Sequence, residues 1–289
     1  MDMSASLCLL ALHAHPDDEA SKGAATVARY HAEGVRTVLV CCTGGEAGEI
    51  LNPVMDRPEV RENLAAVRRE ELARATEVIG YDAVHMLGYR DSGMSGAEAN
   101  EHPECFAQAP LDEAVGRLVA IIRRERPHVL ITYPDDQGGY QHPDHLRVHE
   151  ITGPAFDAAG DPDAYPEAGE PWQPLKIYYS AWSTARVKAI HAKFLELGLE
   201  SPFSEDWLNR FGMDERISTK IDISEFHGVR RAALIAHATQ IDPNSPFWFG
   251  LPPDVVAYPY DDYILARTLV AGPVPEDDLF AGLRDPVRR

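Results

Sequence analysis

Short, wholly apolar runs alternate with longer amphipathic stretches through the first 160 residues of the chain. Leu7–His13, Thr37–Cys42, Ala83–Leu87 and Val129–Thr132 read as strands, the first with no polar position from Leu7 to Leu12. A strand apolar on both faces belongs in the interior of a parallel sheet. Between these runs, apolar residues recur at helical spacing over Ala24–Ala32, from about Glu59 to Ile79, and over Leu111–Glu125. Gly34 and Gly80 close the first two, as glycine does at the C′ position. A further helix starts near Pro143, with proline in its first turn. The strand–helix alternation predicts an α/β fold: a Rossmann-like, doubly wound, mostly parallel sheet.

From Asp157 to Pro174 the chain is rich in Pro, Gly and acidic residues and reads as a surface connection. Beyond it, Lys176–Tyr179 and Ile217–Ile223 suit strands, and Ala185–Leu197 and Glu225–His237 suit helices. Pro243–Pro259, carrying Phe247, Trp248 and Phe249, suits a loop packed over something. The expected organisation is a metal-binding catalytic core over residues 1–175. A smaller C-terminal α/β subdomain, 176–289, would complete the substrate pocket.

Composition narrows the partners. The 289 residues carry a net charge of −19, which disfavours nucleic acid and anionic membrane, both of which need a basic footprint. No run approaches the roughly 20 apolar residues of a membrane span, and the Met1–Ser4 start lacks the basic region of a signal peptide. Cys8, Cys41, Cys42 and Cys105 have no CxxC spacing, so a reduced cytoplasmic protein is expected. Nothing in the sequence fixes the oligomeric state.

Candidate chemistry sits at two strand ends. His15-Pro16-Asp17-Asp18-Glu19 follows the first strand, and Gly138-Gly139-Tyr140-Gln141-His142-Pro143-Asp144-His145 follows the fourth. Ligands in open α/β sheets bind beyond the carboxyl ends of strands. Hydrolytic zinc takes three His, Asp or Glu ligands and leaves a position open. His15 and Asp18, three apart in a tight turn, and His145 from the other turn are the candidate ligands. A metal so held lowers the pKa of its water to about 7. Asp17, unable to share the direction of its neighbours, is the candidate general base. His142 is the candidate general acid or oxyanion donor, with Asp144 expected to hold its ring. Tyr140 either donates to the oxyanion or stiffens the glycine-rich loop. His13, His31, His85, His102, His128 and His191 are expected to be solvated or locally bonded.

These two motifs resemble the signature of the PIG-L/LmbE-like zinc de-N-acetylase superfamily. The likeness extends toward its branch of amidases acting on mycothiol S-conjugates, through Ser21–Thr26, Thr43–Pro53, Asp91-Ser92-Gly93 and Ala236–Pro243. The resemblance implies one zinc per chain on His15, Asp18 and His145, with Asp17 as base and His142 stabilising the transition state. Imidazole and carboxylate ligands also suit Fe²⁺. It further implies that Glu46, Arg68 and Asp91 meet a glucosaminyl-inositol unit. Without it, Arg68 in the run Arg68-Arg69-Glu70-Glu71 reads as a solvated helix face. Lys22 would meet the acyl arm of the substrate, or else be a solvated first-turn lysine.

The expected activity is therefore hydrolysis of a linear amide joining an S-conjugated N-acetylcysteine to glucosaminyl-inositol, in thiol-dependent detoxification. Two rivals keep the chemistry: a paralogue trimming such an adduct during biosynthesis of a sulfur-containing product, and the deacetylase of N-acetylglucosaminyl-inositol. Lys22 and Asn52-Pro53 weigh against the deacetylase. A non-catalytic sugar-binding module would have no use for Asp17.

Overall fold

A computed structural model describes residues 7–135, 140–210 and 213–284. Gly138 and Gly139 of the expected glycine-rich loop lie outside the described residues. In chain order the elements are β1 (Cys8–His13), α1 (Asp18–Ser21), α2 (Ala24–Ala32), β2 (Arg36–Thr43), α3 (Pro58–Glu62), α4 (Leu64–Ile79), β3 (Ala83–Tyr89), α5 (Leu111–Glu125) and β4 (Val129–Thr132). Then follow α6 (Pro143–Gly160), β5 (Lys176–Ala181), α7 (Thr184–Glu196), α8 (Glu205–Arg210), β6 (Thr219–Asp222), α9 (His227–Ala236), α10 (Pro246–Phe249) and β7 (Tyr260–Thr268). The helix expected from Glu59 to Ile79 breaks at Asn63, whose φ of −123° and ψ of 25° leave the helical region.

Among the described residues one sheet of seven strands runs β3-β2-β1-β4-β5-β7-β6. The first five strands in that order are parallel, with Leu10 opposite Val38 of β2 and Leu130 of β4. Strand β7 runs antiparallel between β5 and β6. The division expected at 175/176 falls at the start of β5, and the strands beyond it extend the same sheet rather than forming a second one.

Side-chain alternation builds a core on each face. Leu10, Leu12, Val40 and Leu130 pack under Leu118, Ile122, Ile151 and Phe156 of α5 and α6. Leu9, Ala11, Val129 and Ile131 face Ala24, Val27 and Tyr30 of α2 and Ala233 and Leu234 of α9. Each fully buried Leu, Ile, Val or Phe among them contributes about 1.5–3 kcal/mol. Edge strand β3 instead alternates, exposing Val84 and Met86.

Strand β7 is absent from the expectations because its apolar pattern is broken by Asp261 and Asp262. Both are buried: Asp261 pairs with Arg186 and Arg230, and Asp262 accepts from Ser183 and Tyr258. Tertiary partners supply what the local sequence lacks.

From β1 the chain winds outward to β2 and β3, then returns to β4 on the other side. The carboxyl ends of adjacent β1 and β4 are thus the topological switch point, the ligand position of open α/β sheets.

Candidate active site

Two turns meet at that switch point. The β1 turn presents His15, Asp17 and Asp18, and the N-terminus of α6 presents His142, Asp144 and His145; all but Asp17 are buried. All of these but Asp144 line, with Lys22, Arg68 and Asp91, a cleft of about 560 Å³.

His15, Asp18 and His145 converge. Asp18 Oδ2 is 3.5 Å from His15 Nδ1 and 3.3 Å from His145 Nε2. Tetrahedral ligands about 2.0–2.1 Å from a zinc ion stand about 3.3–3.4 Å apart, so the spacing fits. His145, 1% exposed, has no hydrogen-bond partner among the described residues for either ring nitrogen. A buried imidazole left so is poor economy for a fold and suits a metal ligand. Burial pushes the His145 pKa down to about 4, so the ring is neutral, as a ligand must be. Asp18 sits well below the usual carboxylate range; burial opposes this, and the Lys22 ammonium leads the contacts that outweigh it.

Asp144 serves a different histidine from the one expected. Its carboxylate accepts His15 Nε2 at 3.0 Å, the Ser92 amide at 3.0 Å and the Ser92 hydroxyl. That bond turns Nδ1 of His15 toward Asp18, a carboxylate–histidine pairing of the kind that orients metal ligands. His142 is held by backbone: its Nδ1 accepts the Asp144 amide at 3.2 Å, capping α6. Nε2 therefore carries the proton of the neutral ring. Burial and neighbouring His15 keep the His142 pKa below its ordinary value.

Asp17 stands beside this cluster in the left-handed region, φ 112° and ψ −26°, uncommon for a residue with a Cβ. Such backbone costs about 1–3 kcal/mol and persists where surrounding contacts hold it. Here Glu19 accepts the Asp17 amide at 2.9 Å, and His237 from the end of α9 binds Glu19 at 2.5 Å, both fully buried. Arg68 reaches in from α4, donating to Pro16 O, to Gly45 O at 2.6 Å and to Asp17 Oδ2 at 3.0 Å. Burial raises the Asp17 pKa, and the Arg68 guanidinium opposes that rise.

The remaining expected residues divide. Arg68 is 2% exposed, which removes the solvated-face alternative; its contacts are to the Asp17 turn. Asp91 lines the cleft, accepting Gly93 N at 2.8 Å and lying 3.5 Å from His15 Nε2. Glu46 is set back, accepting the Asp91 amide at 3.2 Å and lining a separate cleft. Lys22 binds Asp18 Oδ1 at 2.5 Å while keeping one side toward the cleft. Tyr140, 50% exposed, has its ring 5.5 Å from that of His145.

Glu19, His237 and Ser92 escaped sequence reasoning as site residues. His237 and Ser92 sit in stretches that carried the resemblance, but their roles depend on long-range contacts. His13 is neither solvated nor locally bonded. It is buried, 3.3 Å from the Tyr133 hydroxyl across 120 residues of sequence, with burial depressing its pKa to about 4.

The chain belongs to the PIG-L family, GlcNAc-PI de-N-acetylase, whose model matches residues 10–156. It is a hydrolase of the amide C–N bond. It is 47% identical to the mycothiol S-conjugate amidase of Streptomyces coelicolor, over 98% of this chain and 99% of that one. It is 40% identical to a 1D-myo-inositol 2-acetamido-2-deoxy-alpha-D-glucopyranoside deacetylase of Geodermatophilus obscurus, over 97% and 99%. Among solved structures, the N,N'-diacetylchitobiose deacetylase of Pyrococcus horikoshii matches with a TM-score of 0.59 at 18% identity, covering 84% of this chain and 73% of that one, a likeness of fold. Among the described residues no helix is long and apolar enough to cross a membrane.

Proposed function

We propose that this protein hydrolyses the amide of mycothiol S-conjugates, releasing a mercapturic acid and glucosaminyl-inositol. Amide hydrolysis suits a buried His15–Asp18–His145 cluster with the Asp17 carboxylate beside it in one cleft. The observation that carries the choice of substrate is the full-length likeness to the Streptomyces amidase, 47% identical against 38–43% for the deacetylase relatives.

In this reading His15 through Nδ1, Asp18 and His145 hold one divalent ion, zinc or ferrous iron. When bound, that ion supplies Lewis-acid activation of water and the scissile carbonyl. Asp17 takes the proton as water adds to the carbonyl carbon; its raised pKa suits a base working near neutrality. Arg68, Glu19 and His237 hold it at its strained backbone position. His142 offers Nε2–H to the developing oxyanion, and Tyr140, which lines the same cleft, is the second candidate donor. The C–N bond then breaks, and the leaving amine takes a proton from Asp17 or His142. The sugar half lies between Arg68 and Asp91, and Lys22 faces the acyl arm. Leu234, Gln240, Ile241 and Trp248 line the same cleft from the C-terminal part of the chain. The four buried free thiols suit a reducing compartment.

The test is turnover of a mycothiol S-conjugate beside N-acetylglucosaminyl-inositol by the metal-loaded protein. The proposal expects higher kcat/KM on the conjugate; preference for the acetylated sugar would reassign the protein to deacetylation.

A further inference from the structure

We infer that the substituent on the substrate sulfur is received by a second cavity, of about 100 Å³, that adjoins the catalytic cleft at Ser21 and Lys22. The inference rests on the S-conjugate reading above and names the part of the substrate that reading leaves without a place.

Position comes first. Ser21 and Lys22 line both the cleft and the cavity, so the two adjoin beside Asp18. Tyr133 forms another wall of the cavity, and its ring stacks on His145 with centroids 4.4 Å apart and planes 15° from parallel. The cavity thus begins one ring's thickness beyond a proposed ligand. In a cysteinyl amide only Cα and Cβ separate the scissile carbonyl from sulfur. A substituent on that sulfur must therefore enter space immediately next to the metal cluster, which this cavity provides.

Chemistry selects the occupant. Ala181, Trp182 and Met213 give the cavity an apolar wall. Its charged lining is already paired: Arg186 with Asp261 at 3.4 Å, and Asp262 with Ser183 at 2.5 Å and Tyr258 at 2.9 Å. Asp261 also accepts from Thr26 at 2.9 Å and from Arg230. Groups so engaged offer a ligand little, and an apolar substituent asks nothing of them. The Trp182 indole is fixed as a wall, stacked on Phe247 at 5.7 Å and covered by the Arg186 guanidinium 4.3 Å from its centroid. Size limits the choice further. An apolar cavity of about 150 Å³ takes a benzene ring, so one of about 100 Å³ suits one ring partly inserted, or a short alkyl chain.

The experiment compares S-methyl and S-benzyl mycothiol conjugates on the metal-loaded wild type, Trp182→Ala and Ala181→Leu. Filling or emptying an apolar pocket changes selectivity by about ten- to a hundredfold. The wild type is expected to favour S-benzyl by about tenfold. Trp182→Ala, which removes the wall, and Ala181→Leu, which narrows the space, should each lower the benzyl-to-methyl ratio about tenfold or more. If Trp182→Ala does not fold, Ala181→Leu decides alone, together with inhibition by N-acetyl-S-benzylcysteine weakening in parallel. A ratio unchanged in the folded variants, with both conjugates hydrolysed, overturns the cavity assignment and leaves the S-conjugate reading intact. A wild type that hydrolyses neither conjugate yet deacetylates N-acetylglucosaminyl-inositol overturns both.

Discussion

Replacing Asp144 separates its bond to His15 from any service to His142. The carboxylate is fully buried and takes three donors: His15 Nε2, the Ser92 amide and the Ser92 hydroxyl. In Asp144→Asn the amide oxygen can take the place of Oδ2, with the amide nitrogen turned to the Ser92 hydroxyl, which can rotate to accept. The contacts survive and the charge is lost. A hydrogen bond to a charged group is worth about 1.5–3 kcal/mol and a neutral one about 0.5–1.5. The difference, about 1–1.5 kcal/mol, predicts roughly tenfold weaker zinc binding. Asp144→Ala loses the bond altogether and should weaken binding by about ten- to a hundredfold, the usual cost of removing the partner that orients a ligating histidine. Competition against a chromophoric zinc chelator at fixed pH measures both. Wild-type affinity in the Ala variant, with kcat alone reduced, would refute the account of Asp144 as the partner of His15.

Asp17→Asn should retain one metal per chain while kcat falls by about 10²–10⁴-fold, the range of general-base catalysis; loss of metal instead would make Asp17 a ligand. Asp17 works ionised, so activity falls as pH drops through its pKa. Burial raises that pKa and Arg68 lowers it, so Arg68→Met should move the acid limb of the kcat profile to higher pH, and a limb moved lower would contradict the pairing. Lys22→Ser removes a bond to Asp18 as well as a contact with the acyl arm. It should lower kcat/KM on S-conjugates by about ten- to a hundredfold, with a smaller loss on N-acetylglucosaminyl-inositol; equal losses would confine Lys22 to holding Asp18.

Much of this architecture is legible in the chain because local pattern and tertiary demand agree. The apolar runs of β1, β2 and β4 could only be interior strands, and their order places both histidine–aspartate motifs at one switch point. Strand β7 was illegible because Asp261 and Asp262 deny it an apolar pattern, their partners Arg186 and Ser183 lying about 75 to 80 residues away in sequence. The turn residues could be singled out by type and spacing, but not their partners. Whether Asp144 turns to His15 or His142 depends on Ser92, and Glu19 acquires its role through His237, 218 residues distant. Arg68 shows the same limit from the other side. Its charged neighbours suggest a solvated face, yet α4 turns this one side chain inward to Pro16 and Gly45.

The proposed activity stands on His15, Asp18 and His145 sharing one catalytic metal. The most direct measurement is zinc stoichiometry and affinity of the wild type and His145→Ala, each assayed in the same preparation for hydrolysis of an S-conjugate. The wild type is expected to hold one zinc tightly. In the variant, zinc affinity and turnover should fall together, with circular dichroism unchanged. One zinc held at wild-type affinity by folded His145→Ala would contradict it.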